Sequence, residues 1–119
     1  MKNNMRTHSA KQTAIKSALV DKGILPIVKW INSFDTAVTF FSSQGGGNVI
    51  PYVSFACSDH LELCQIAKKI YDFNQGRTAM KEGCVSLDVW WMTGCSSPLV
   101  YGMYLYNEKC LSDFIRYVC

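Results

Sequence analysis

Two stretches of this chain run through the same order of elements. Each has a β-rich run, a Ser- and Gly-containing loop, a second β-rich run, and a capped amphipathic helix. In the first copy, Thr36 to Phe41 is β-branched and aromatic, Ser42 to Asn48 is the loop, and Ile50 to Ala56 is the returning strand. Pro51 near its start suits an edge position or a strand beginning. Ser58 then reads as the N-cap of a helix from Asp59 to Phe73, with Leu63, Ile66, Ala67 and Ile70 as its apolar stripe. In the second copy, Cys84 to Met92 and Leu99 to Tyr106 are the strands, and the loop between them holds Thr93 to Pro98. Asn107 caps a last helix in which Leu111, Phe114, Ile115 and Val118 recur at i, i+3, i+4, i+7. The offset between copies is about 50 residues. Neither hairpin can bury its apolar face alone, so the pattern restricts the chain to folds in which the copies share one core.

Two helices are expected ahead of this unit. One starts near Ser9, carries Ile15, Ala18 and Leu19 on one face and stops at Gly23. The next repeats Ile24, Ile27, Val28 and Ile31, with Pro26 in its first turn, where proline is tolerated. The order α-α-β-β-α-β-β-α predicts an α+β fold. Its core is an antiparallel four-stranded sheet from a duplicated β-hairpin–helix unit, with the helices on one face and two N-terminal helices. Residues 1–119 are read as a single domain, with 1–8 as a flexible tail.

The chain has 12 basic and 9 acidic residues, and six of the basic ones fall within the first 29 residues against one acid, Asp21. The net charge is therefore +5 there and −2 over the rest. A basic front attracts phosphates or nucleic acid without regard to sequence, and is equally the make-up of a solvated tail. No apolar run approaches the roughly 18–20 residues of a membrane span, and the first residues lack the apolar core of a secretory signal. A cytoplasmic location is expected, in the host cytoplasm if the chain is phage-encoded, with no membrane partner. Six cysteines form no C-x2-C pair, and the histidines are two, His8 and His60. No metal site and no cofactor are expected. Buried free thiols are the default, with Cys95, in a loop, the one to watch.

The sheet face left without helices matters most for function. Alternation in the third strand sets Val85, Leu87, Val89 and Trp91 against Ser86, Asp88, Trp90 and Met92. With Tyr52, Ser54, Tyr104 and Tyr106, one face collects aromatics among polar groups. Such a face can stack a base or bury itself in a homo-oligomer. The loop Ser42-Ser43-Gln44-Gly45-Gly46-Gly47-Asn48 is the leading candidate for holding an anion through backbone N–H groups. It is neither a Walker loop nor a G-x-G-x-x-G fingerprint. Thr93, Ser96 and Ser97 offer similar donors, and Arg77 is the cation expected to reach the ligand. The candidate binding set is thus Ser42, Ser43, Gln44, Gly45, Gly46, Tyr52, Arg77, Asp88, Trp90, Thr93, Ser96, Ser97 and Tyr104. No Ser-His-Asp or Cys-His pair follows from spacing, His60 reads as a surface residue, and no catalytic residue is assigned.

Trp30-Ile31-Asn32-Ser33-Phe34, then Ser42-Ser43-Gln44-Gly45, then Pro51-Tyr52-Val53-Ser54-Phe55-Ala56-Cys57 resembles a pattern, W-x-N-S-F … S-x-Q-G … P-Y-V-x-F-x-C, of small uncharacterised phage and bacterial proteins. The likeness spans residues 24–73. More distantly, Ser42, Ser43 and Gly46 resemble the S-S-C-S-G loop of the wybutosine-synthesis tRNA methyltransferases, with Gln44 in place of the cysteine and Gly45 in place of the later serine. That likeness implies S-adenosylmethionine and tRNA as ligands. By analogy of size, the first implies a phage-type protein that sequesters an immune signalling nucleotide. The leading expectation is non-enzymatic binding of a phosphate-bearing, nucleotide-like small molecule by a homo-oligomer. The alternatives are an RNA-modifying enzyme or a protein–protein interaction module.

Overall fold

In the computed structural model, residues 20–90 and 99–119 are described. Helix α1 is Leu25–Asn32, followed by β1 (Ala37–Ser43) and β2 (Tyr52–Cys57). Helix α2 is His60–Asn74, followed by β3 (Val85–Trp90), β4 (Val100–Leu105) and helix α3 (Glu108–Val118). The strands form one antiparallel sheet in the order β1-β2-β4-β3. The expected α+β architecture is present, with its helices on one sheet face. Of the two N-terminal helices, α1 is the second; the first, from Ser9, falls largely outside the described residues.

The duplication has a definite register. Adding 48 to the pair Ala37↔Cys57 gives Val85↔Leu105, which is also a pair. The same shift carries the N-cap Asp59 onto the N-cap Asn107, and the buried Ile66 onto the buried Phe114. Antiparallel pairing of β2 with β4 joins the copies about an approximate two-fold axis normal to the sheet. The cap of α2 is Asp59 rather than the expected Ser58, because the Asp59 carboxylate accepts the Leu61 N–H at 2.9 Å. Asn107 caps α3 as expected, taking the Cys110 N–H at 2.8 Å. An aspartate at the N-cap satisfies an orphan donor and complements the positive end of the helix dipole.

The core lies between the helices and one sheet face. Ile24, Ile27 and Ile31 of the α1 region meet Ile66 and Phe73 of α2, Phe114 of α3, and Val53, Phe55, Met103 and Leu105 of the central strands. Phe114 is the centre of its aromatic part, edge-on to Trp30 at 5.7 Å and to Phe73 at 4.9 Å. Edge-to-face geometry sets the positive rim of one ring on the negative face of the next. Two side chains of α2 fix the outer strands. The Glu62 carboxylate accepts the Asp35 and Thr36 N–H groups and the Thr36 hydroxyl where β1 begins. The Asn74 amide donates to the Val85 carbonyl at 2.8 Å and accepts its N–H at 2.9 Å where β3 begins.

Phe114→Ala should destabilise the domain by about 3–5 kcal/mol, the range for emptying a buried aromatic site. Urea denaturation will show this as a lower midpoint with the slope unchanged.

Candidate functional site

The thirteen expected binding residues separate into three places and a remainder. Four share the sheet face opposite the core. Register aligns Ser43 with Tyr52, Tyr52 with Tyr104, and Tyr104 with Ser86, so one row across all four strands reads Ser43-Tyr52-Tyr104-Ser86. The two tyrosine rings are in contact, with centroids 6.3 Å apart and planes tilted by 37°. Asp88 stands in the next row, opposite Gly102, and its side chain is exposed. Phe40 is exposed on β1. Among the described residues no helix packs on this face, since the residues of α1, α2 and α3 in the core cluster all meet the other one.

Ser54 lies on the same face yet is fully buried. Its hydroxyl accepts the Phe41 N–H at 3.0 Å and donates to the Phe41 carbonyl at 3.3 Å. The reason is a bulge: between Thr39↔Phe55 and Ser42↔Val53, two residues of β1 oppose one of β2. The hydroxyl satisfies backbone groups that the interrupted ladder leaves over. Past the bulge Ser42 shares the helix-side face with Val53, while Ser43 turns to the tyrosine row.

Gln44, Gly45 and Gly46 belong to a tightly laced loop. The Gln44 N–H donates to the Asp21 carboxylate at 3.2 Å, and the Gln44 side-chain oxygen accepts the Gly23 N–H at 2.8 Å. The Gly45 N–H goes to the Ser43 hydroxyl at 3.1 Å, and Gly46 and Val49 exchange both backbone hydrogen bonds. Gly47 takes φ +58 in the two-residue turn so closed, which glycine enters without strain. A Cβ at Gly45 would lie 2.9 Å from Pro51 Cδ. Three backbone donors on which an anion cradle would draw are thus occupied within the fold, one by a carboxylate. Gln44 and Gly45 instead border a cleft of about 470 Å³ on the helix side, with Lys22, Glu108 and Ser112 among its walls.

Arg77 is elsewhere. It donates to the Gly83 and Glu82 carbonyls, each at 2.8 Å, and to Asp113 at 3.1 Å. Its guanidinium covers the Phe73 ring at 4.3 Å. It packs against the side of α3 that carries Asp113 and Arg116, whereas Glu108 and Ser112 border the cleft. Arg77, expected to reach the ligand, ties the α2–β3 connector to α3 in this structure. Asp113 also accepts from Lys109 at 2.9 Å and from Arg116. The Lys109 hydrogen bond, then that of Arg77, holds the Asp113 carboxyl below the ordinary carboxylate range. Of the rest, Trp90 pairs with Val100 through the backbone, and Thr93, Cys95, Ser96 and Ser97 lie outside the described residues.

One constellation escaped the reading of spacing. His60 Nε2 and Cys64 Sγ lie 3.5 Å apart on the exposed side of α2. Cys64 and Cys119 are exposed, against the expectation of buried thiols, while Cys110 is buried. The i, i+4 interval was the available signal, because it puts both residues on one helix face. Comparison of the chain with family models, curated proteins and solved structures gives no match.

Because the Asp113 pKa is lowered on folding, its contribution to stability is complete above the unfolded carboxylate value of about 3.9 and is lost as pH falls through the folded value. Thermal melts from neutral pH downward should show Asp113→Asn less stable than the parent chain at pH 7. The difference should shrink as the parent's carboxylate is protonated.

Proposed function

We propose that this chain is a non-enzymatic binding protein for a phosphate-bearing, nucleotide-like small molecule, held on the helix-free sheet face. The observation that supports this is the tyrosine pair, Tyr52 on Tyr104, set across the two central strands. Two rigid rings on a sheet offer a platform on which a base stacks at little conformational cost, and every base has a π-face to offer. The hydroxyls of Ser43 and Ser86 bound the row, each one strand spacing, about 4.8 Å, from a tyrosine. They supply donors and acceptors for sugar or phosphate oxygens. The Asp88 carboxylate in the neighbouring row accepts from an N–H edge of the base. With the Gln44, Gly45 and Gly46 N–H groups already bonded, phosphate recognition in this reading falls to the serine hydroxyls rather than to a backbone cradle.

The second reading, a protein-interaction surface or homo-oligomer contact, is favoured by another part of the first hairpin. Phe40 and Phe41 are 44% and 59% exposed, and Val49 and Ile50 beyond them are exposed as well. Adjacent phenylalanines open to water on an outer strand are the composition of an interface core. Sedimentation of the parent chain and of Phe41→Ser separates the two: an oligomer that dissociates in the variant assigns this edge to self-association.

For the leading reading, calorimetric titration with mono-, di- and cyclic nucleotides should find one that binds. Tyr52→Ala and Tyr104→Ala should each weaken it by about 1–3 kcal/mol, the worth of one stacking partner. Binding unaffected by both substitutions, or no nucleotide bound by the folded chain, removes this assignment.

A further inference from the structure

Asp88 is the only charged residue in the four described strands. Its side chain is exposed, and among the described residues its carboxylate has no hydrogen-bond or ion-pair partner. An ionised carboxylate accepts and cannot donate, so on a face otherwise neutral and aromatic it is complemented by a pair of N–H donors. Asp88 follows Ser86 by two residues on β3, and Ser86 is paired with Tyr104. Asp88 is thus a diagonal neighbour of Tyr104, about 7–8 Å away and within reach of a ring. Gly102, opposite Asp88, adds no side chain between them. A ring stacked on Tyr104 therefore presents one edge to the carboxylate. Resting on the nucleotide reading above, we propose that the base held on this face is guanine. Asp88 selects it by accepting two hydrogen bonds, from its N1–H and its exocyclic amine.

The other common bases fit this lining less well. Adenine and cytosine each set an amine beside a ring-nitrogen lone pair, and uracil sets its N3–H between two carbonyls. Each makes at most one hydrogen bond to the carboxylate and turns a lone pair against it. Guanine makes two in parallel, which are charge-assisted and fix the plane of the base as well. The same charge orients the nucleotide. Asp88 repels a phosphate, so the phosphate lies across the tyrosine row from it. The position 48 residues earlier is Phe40. The duplicated unit therefore carries this carboxylate once and offers one base site per chain.

The test is calorimetric titration of the full-length chain with GMP, IMP, XMP, AMP, CMP and UMP. GMP should bind ahead of AMP, CMP and UMP by about 5- to 150-fold, the discrimination of one good bidentate pair. IMP, which lacks the exocyclic amine, should lose at least about tenfold. XMP carries a carbonyl in place of that amine. Asp88→Asn should lose the preference for GMP and take XMP instead, because its amide donates to that carbonyl while still accepting the N1–H. Tyr104→Ala should weaken GMP and AMP alike and leave their ratio unchanged. Asp88 is exposed, so circular dichroism of Asp88→Asn should match the parent. Binding of AMP, CMP or UMP as tight as that of GMP, or a GMP preference kept in Asp88→Asn, overturns the guanine assignment and leaves the nucleotide reading in place. A folded parent chain that binds none of them removes both.

Discussion

The pairing of β2 with β4 is the contact on which the other features of this molecule depend. Tyr52↔Tyr104, Val53↔Met103, Ser54↔Gly102 and Phe55↔Tyr101 join two hairpins that are otherwise connected only through α2 and its following loop. The register does two things together. It delivers Val53, Phe55, Tyr101 and Met103 to the helices as the centre of the core, and it brings Tyr52 and Tyr104 into contact on the opposite side. A slip of one residue would exchange the faces, exposing the apolar set and burying the tyrosine hydroxyls without partners. Core packing therefore protects the geometry of the outer face, and a substitution that loosens the core acts on the tyrosine pair at a distance.

Helix α2 supports that pairing from behind. Glu62 near its start anchors β1, and Asn74 at its end anchors β3, so one helix of 15 residues sets the positions of both outer strands. Each anchor satisfies backbone groups at a strand entry, where no ladder partner is available. On the far side of α3, the cluster of Arg77, Asp113, Lys109 and Arg116 performs the corresponding task for the α2–β3 connector. The arginine has exchanged reach for enclosure, with its charge balanced by Asp113 and its flat face on Phe73.

The element order, the apolar stripes and the Asn107 cap were legible in the sequence because each depends on neighbours within a few residues. Leu63, Ile66 and Ile70 repeat at helical spacing whatever the tertiary fold. The order of strands was not legible, since hairpins can join through either edge and only packing against α2 decides. The β1 bulge was equally hidden: alternation through Phe40 and Phe41 carries no mark of the extra residue, and the hydroxyl that accommodates it, Ser54, comes from another strand. For Arg77 the decisive partner, Asp113, is 36 residues away. The glycine loop looked like an anion site because glycines and hydroxyls serve both purposes. What distinguishes them is Asp21, whose carboxylate occupies a donor that a phosphate would need.

The two-fold relation also indicates where the copies have diverged. Shifted by 48, Asp59 and Asn107 remain caps, and Ile66 and Phe114 remain core. The scaffold thus keeps its chemistry in both halves. The outer face does not. The two-fold partners of Tyr52 and Tyr104 are Val100 and Ala56, and those strand neighbours pair with Trp90 and Val38 in place of serines. Phe40 corresponds in the same way to Asp88. One end of the face is therefore a hydroxyl-bounded tyrosine row and the other the apolar sequence Trp90-Val100-Ala56-Val38, built on the same backbone. Neither row belongs to the core cluster beneath the helices, although Val100 is fully buried. The divergence therefore falls on the face opposite the helices, while the positions that pack beneath them keep their roles in both halves.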